Sequence, residues 1–178
     1  MCLYNHYQTE RMIINNRNRM ITRACYVVLL VLVGWLLLVL LQFLRWTGVI
    51  DINIGADSQI HQVAWSEEGK VLVIQYIELW GYLVSSLLMI AISSRLMILC
   101  IKGIKLKKIF TRKNVRLLWG ITFVSLFFEL FSSNIPIMFG DREIQFGSNL
   151  IVSPLIFLVI TLLYDAAVSV SEENELTI

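Results

Sequence analysis

The sequence predicts an all-α membrane protein with four transmembrane helices and short outer loops of β-hairpin character, and three observations carry that prediction. The chain is too apolar for a soluble domain of 178 residues: 57% of its residues are hydrophobic, 16% are charged and its mean hydropathy is +0.73. Four stretches, residues 24–43, 76–101, 117–134 and 150–167, approach or exceed the ~20 predominantly apolar residues needed to cross a core about 30 Å thick. They lack the strict alternation of barrel strands, and in lipid only helices or a closed barrel satisfy the backbone. Finally, the basic residues alternate between connections. Four in the leader (Arg11, Arg17, Arg19, Arg23) and eight between the second and third stretches (Arg95, Lys102, Lys105, Lys107, Lys108, Arg112, Lys113, Arg116) make twelve of the fifteen. Short loops rich in lysine and arginine stay cytoplasmic, so both termini are expected inside, in a bacterial inner membrane.

The first span, "ACYVVLLVLVGWLLLVLL", carries no charge. Its basic leader is long, its apolar run exceeds the ~7–15 residues of a signal peptide, and "QFLRWTGVID" offers no small-x-small cleavage site, so the span is expected to be retained. In the first outer loop, "HQVAWSEEGKVLVIQY" alternates Val63, Trp65, Val71 and Val73 about a Glu-Glu-Gly-Lys turn, which reads as a β-hairpin. The second outer loop, "IMFGDREIQFG", invites a smaller hairpin turning at Gly140-Asp141. Beyond the second span, "CIKGIKLKKIF" spaces Lys102, Lys105 and Lys108 by three with isoleucines between them, as an amphipathic helix end whose lysines reach anionic lipid headgroups. Thr111 suits the N-cap of the third span. The fourth span runs into a cytoplasmic tail, residues 168–178, that holds three carboxylates and no base. The tail is expected to continue the helix to about Glu173 and to fold Leu176 and Ile178 against segment 106–116.

Catalytic chemistry is hard to assemble from these residues. The only histidines are His6 and His61, so a His-Glu-x-x-His zinc site is excluded. Cys2, Cys25 and Cys100 are far apart and near the reducing face, against a disulfide or a Cys-x-x-Cys centre. There is no glycine-rich phosphate loop, and no serine in the spans has a histidine or lysine spaced to activate it. No enzyme, no cofactor, no metal and no direct binding of nucleic acid are expected; the net charge of +2 follows the membrane instead.

Polar groups within the spans are sparse, and each is a site candidate because charge at depth is costly. Glu129 falls about 18 Å from Leu117 along the third span, and Thr122, Ser125, Glu129 and Ser132 share one helix face. The matching depth on the second span lies at Ser85 and Ser86, below Glu78 and Tyr82. These five residues, Glu129, Ser85, Ser86, Tyr82 and Glu78, form a candidate intramembrane cluster. It reads either as a proton- or ion-sensitive carboxylate or as hydrogen-bonding glue between helices. Arg95 and Asp165 sit at similar depth at the inner edge and are expected to pair.

"IFTRKNVRLL" (109–118) and "SEENELTI" (171–178) resemble a Phe-Ser/Thr-x-x-Asn-Val-x-x-Leu motif after the second span and a Glu-Glu-Asn-Asp-Leu-Thr-Ile ending found in bacterial membrane proteins grouped as domain of unknown function 2975. Phe110, Asn114, Glu173, Asn174, Leu176 and Thr177 fall on matching positions, and the four-span layout is similar along nearly the whole chain. The sequence departs from that pattern at Ala167, where a glycine is common, and in "YDAAVSVS", which replaces a more basic run. The resemblance implies an inner-membrane protein, often encoded beside a small helix-turn-helix regulator, with no assigned activity. Two functions follow. One is a non-enzymatic sensor or partner-binding module that uses the basic segment (Lys102, Lys105, Lys107, Lys108, Arg112, Lys113, Arg116) and the tail (Glu172, Glu173, Asn174, Leu176, Thr177, Ile178). Its partners are the bilayer with its anionic headgroups and a cytoplasmic protein or a second copy of the chain. The alternative is a small transporter or channel subunit built on the intramembrane carboxylate.

Overall fold

The computed structural model describes residues 2–50, 63, 65–106, 110–140, 143–147 and 149–176, with side chains described from residue 16 to residue 174. Four α-helices account for most of them: α1 (Cys2–Trp46), α2 (Gly69–Lys105), α3 (Arg112–Ser133) and α4 (Asn149–Leu176), with a 3-10 helix (Ile135–Phe139) between α3 and α4. All four α-helices are long and apolar enough to cross a membrane. At 1.5 Å per residue the 45 residues of α1 extend about 68 Å, so that helix outruns the hydrocarbon core by roughly its own basic leader.

Helix ends are set by local chemistry. α1 stops in a Schellman motif: Gly48, at φ +74°, occupies the left-handed position that a Cβ disfavours, Val49 N donates to Leu44 O at 2.9 Å and Gly48 N donates to Arg45 O at 3.0 Å. The Thr47 hydroxyl donates to the carbonyls of Phe43 and Leu44 in the same turn. Thr111 is the N-cap of α3, as its sequence position suggested, with extended backbone and a side-chain oxygen that accepts from Asn114 N. Pro136 suits the first turn of the 3-10 helix because its missing N–H would have no partner there.

Neither expected hairpin is found among the described residues, which contain no strand. In the first loop, Val71 and Val73 belong to α2, whose buried positions Gln75, Glu78, Leu79, Tyr82, Ser86 and Met89 recur at helical spacing. That longer period outweighs a four-residue alternation. The upstream arm is held in other ways: Val63 N donates to Trp46 O, Ser66 N donates to Gln75 Oε1, and the Trp65 ring stacks on Tyr76 at 4.7 Å. In the second loop the chain does turn at Gly140, φ +98°, but as the C-cap of the 3-10 helix. Asp141 and Arg142 lie outside the described residues. Asn134 then ties the loop back, accepting from Gln145 N at 2.7 Å and donating to Gln145 O and Leu130 O.

The helices pack in chain order: α1 on α2, α2 on α3, α3 on α4, with the 3-10 helix against α2 and α3. In lipid the hydrophobic effect adds little between helices, so close contact and small residues carry the packing. Gly81 shows this directly, since the Phe131 ring occupies the space a Cβ would need. Three clusters fill the interfaces. Leu32, Val39, Leu83 and Ile90 join α1 to α2; Met89, Leu96, Leu118 and Ile121 join α2 to α3; Trp46, Val63, Leu79, Tyr82 and Met138 close the end where α1 stops. The α1 residues Val27, Leu30, Val31 and Leu38 remain exposed, as a lipid-facing stripe requires.

Candidate functional site

The first residue of α3 reaches across to the C-terminal part of α4. On that helix Asp165, Ser169 and Glu172 follow at i, i+4 and i+7 and therefore share a face. Arg112 engages all three. Its Nη1 donates to Asp165 Oδ1 at 2.6 Å, its Nη2 to Glu172 Oε2 at 2.7 Å and to Ser169 Oγ at 3.3 Å, and its Nε to both Glu172 oxygens at 3.1 Å. This fork geometry is what a planar guanidinium offers and a lysine does not. The group is exposed, with 36–48% of each charged side chain accessible, so its value lies in aligning two helix ends more than in stability.

Beside this clamp the same two helices meet through less exposed groups. Asn114, 1% exposed, donates from Nδ2 to the Tyr164 hydroxyl at 2.9 Å. Phe110 packs its ring on Tyr164 at 5.4 Å. Phe110, Arg112 and Asn114 all come from "IFTRKNVRLL", and Glu172 comes from "SEENELTI"; the two motifs, about sixty residues apart, therefore meet in space. The helix runs past the expected Glu173 to Leu176. The expected folding of Leu176, Thr177 and Ile178, and Lys107 and Lys108 of the basic segment, lie outside the described residues and side chains. Lys102 and Lys105 end α2, while Lys113 and Arg116 lie on the exposed side of α3's first turns. Glu173 and Asn174 are exposed near the end of α4.

Arg95 does not pair with Asp165; Arg112 takes that carboxylate. α3 stands between α2 and α4, whose backbones make no close approach among the described residues. Tyr164 and Ser169 were missed, although the i, i+4, i+7 pattern from Asp165 was legible.

The intramembrane candidates do not converge on Glu129. Ser85 and Ser86 are buried and donate back to Tyr82 O at 3.1 and 2.7 Å; Ser125 donates to Thr122 O at 2.8 Å. Such bonds to the preceding turn leave little for a neighbouring helix. Glu129 is half-buried and makes no hydrogen bond or ion pair among the described residues. The buried carboxyl is instead Glu78, 7% exposed, whose Oε1 has no hydrogen-bond partner among the described residues. It lies in the N-terminal part of α2 between Gln75 and Tyr82, and Tyr82 Oη donates to Gln42 Oε1 at 3.4 Å. A polar link between helices deep in the span joins Thr122 and Thr161, whose hydroxyls are 3.1 Å apart.

Among the described residues no group of three or more histidine, cysteine, aspartate or glutamate side chains is placed to hold a metal. The hollow between α3 and α4 measures about 510 Å³ and is lined by Trp119, Phe123, Leu126, Pro154 and other apolar residues, with Thr122 the sole hydroxyl. No family model, no curated protein and no solved structure matches the chain.

Proposed function

We propose that the chain is a non-enzymatic, multi-pass protein of the bacterial cytoplasmic membrane, with both termini inside, that binds a cytoplasmic protein partner through the inner ends of α2, α3 and α4. The resemblance to domain of unknown function 2975 belongs to the same proposal. The observation that carries it is the Arg112 clamp. The acidic end of α4 is docked on the first turn of α3, beside Lys113 and Arg116, so that a defined charged surface is presented at one end of the molecule. The polar groups of the spans support the module over the transporter, because the hydroxyls of Ser85, Ser86 and Ser125 are spent on their own helices. Glu78 is the one feature that favours the transporter.

Two measurements test the reading. Labelling of single cysteines should place position 113 inside and positions 65 and 144 outside; labelling of position 113 from the outer face overturns the topology. Crosslinking of the full chain in membranes should capture a cytoplasmic protein that is lost when Lys113 and Arg116 become glutamine and kept in Glu78→Gln. A cellular phenotype abolished by Glu78→Gln or Glu129→Gln, with crosslinking unchanged, would favour transport instead.

A further inference from the structure

Arg19 and Arg23, at the inner end of α1, differ from Arg112 in having no acidic partner among the described residues. Arg19 and Arg23 are one turn apart, directly below the charge-free run that begins at Ala24. With Asn18, Thr22 and Tyr26 they line a hollow of about 310 Å³ that contains no carboxylate. The Thr22 hydroxyl donates to Asn18 O at 2.9 Å, which leaves its oxygen as an acceptor and the two guanidinium groups as the principal donors. Neither guanidinium makes an ion pair or hydrogen bond among the described residues. The neighbouring helix supplies no counter-charge, for the backbone of α1 approaches that of α2 alone among the described elements, and α2 ends in Lys102 and Lys105.

We propose that this hollow binds the phosphate of an anionic phospholipid in the cytoplasmic leaflet. Two guanidinium forks at i and i+4 match the oxygens of one phosphate group, and a tyrosine phenol at the same level suits the polar boundary of the bilayer. The lipid, rather than a free anion, follows from what continues above the arginines. Four and seven residues beyond Arg23, on the same helix face, Val27 and Leu30 are 63% and 74% exposed and form an apolar track along which an acyl chain lies. The assignment to the cytoplasmic leaflet rests on the proposed topology; the site itself rests on the hollow and its unanswered charges.

Native mass spectrometry of the full-length protein in detergent, equilibrated with equal phosphatidylglycerol and phosphatidylcholine, tests the site. Wild type is expected to retain phosphatidylglycerol selectively. Arg19→Gln/Arg23→Gln binds it roughly thirty-fold more weakly and Arg19→Gln alone roughly five-fold, from the contribution of each basic group at a lipid surface. Lys70→Gln, in the first turn of α2 and at the far end of that helix from Lys102 and Lys105, retains it as wild type does. Equal retention of the two lipids, equal retention by the arginine variants, or displacement by inorganic phosphate at the same concentration would each overturn the proposal; the single variant decides if the double variant does not fold. Topology does not enter a detergent measurement, so a failure of the cysteine-labelling test would leave the phosphate site standing and remove only its leaflet.

Discussion

Gly81 offers the sharpest test of how α2 and α3 approach each other. A Cβ at this position would lie 2.3 Å from Phe131 Cε1, 2.4 Å from Cζ and 2.6 Å from Cδ1, where ordinary contact starts at 3.4 Å. Gly81→Ala therefore forces the ring back by roughly 1 Å, and the ring cannot retreat freely. It packs against Trp46, Leu79, Tyr82 and Met138, the last of them fully buried. Overpacking of this kind costs about 1–3 kcal/mol, against which the better helix propensity of alanine returns at most about 1 kcal/mol. A net loss of about 1–2 kcal/mol lowers the melting temperature of a chain this size by about 2–8 °C. Thermal unfolding of purified protein in detergent measures it. The decisive comparison repeats Gly81→Ala in a Phe131→Leu background, where the clashing ring is gone and the substitution should be neutral or stabilising. The same loss in both backgrounds would refute the contact, as would a Gly81→Ala variant that melts higher than wild type.

Three further outcomes are expected. Tyr164→Phe removes the acceptor of the buried Asn114 amide and should cost about 1–3 kcal/mol in the same melting assay, whereas loss of an exposed contact would cost almost nothing. Asn134→Ala cuts the bonds to Leu130 O, Gln145 O and Gln145 N and should destabilise by about 2–4 kcal/mol, with faster proteolysis at residues 143–147 as the local readout. Arg112→Gln should leave the melting temperature nearly unchanged while hydrogen exchange of residues 168–174 accelerates, because the clamp acts on the end of α4.

The spans were legible because twenty apolar residues in a row have few other uses, and the Thr111 cap because one hydroxyl in one position defines it. Helix ends beyond the membrane were harder to read. α2 starts at Gly69, seven residues before the expected Tyr76, after Glu68 in extended conformation with no side-chain cap, and no residue there announces a helix. Local alternation at Val71 and Val73 suggested a strand, yet those residues precede a long helical repeat that draws them in. The Arg95–Asp165 expectation failed for a different reason. Depth along a span can be counted from the sequence, but which helix stands next to which cannot, and α3 intervenes.

The placement of polar groups along the bilayer normal bears on the choice between module and transporter. Among the described residues, bonds from one helix to another gather at the two ends: Arg112 and Asn114 with α4 where α3 begins, Tyr82 with Gln42 at the opposite end, while Asn134 ties the C-terminal end of α3 to the following loop. Between those ends the hydroxyls of Ser85, Ser86 and Ser125 return to their own backbones, and Thr122 meets Thr161 as a single crossing. A solute or proton that crosses the membrane needs successive partners within reach of one another, and hydroxyls already committed to carbonyls serve that purpose poorly. A protein that reports or recruits needs its strongest directional bonds where a partner can reach them. In this chain they lie at Arg112, Asp165 and Glu172, which are exposed, carry opposite charges and join two spans at their tips.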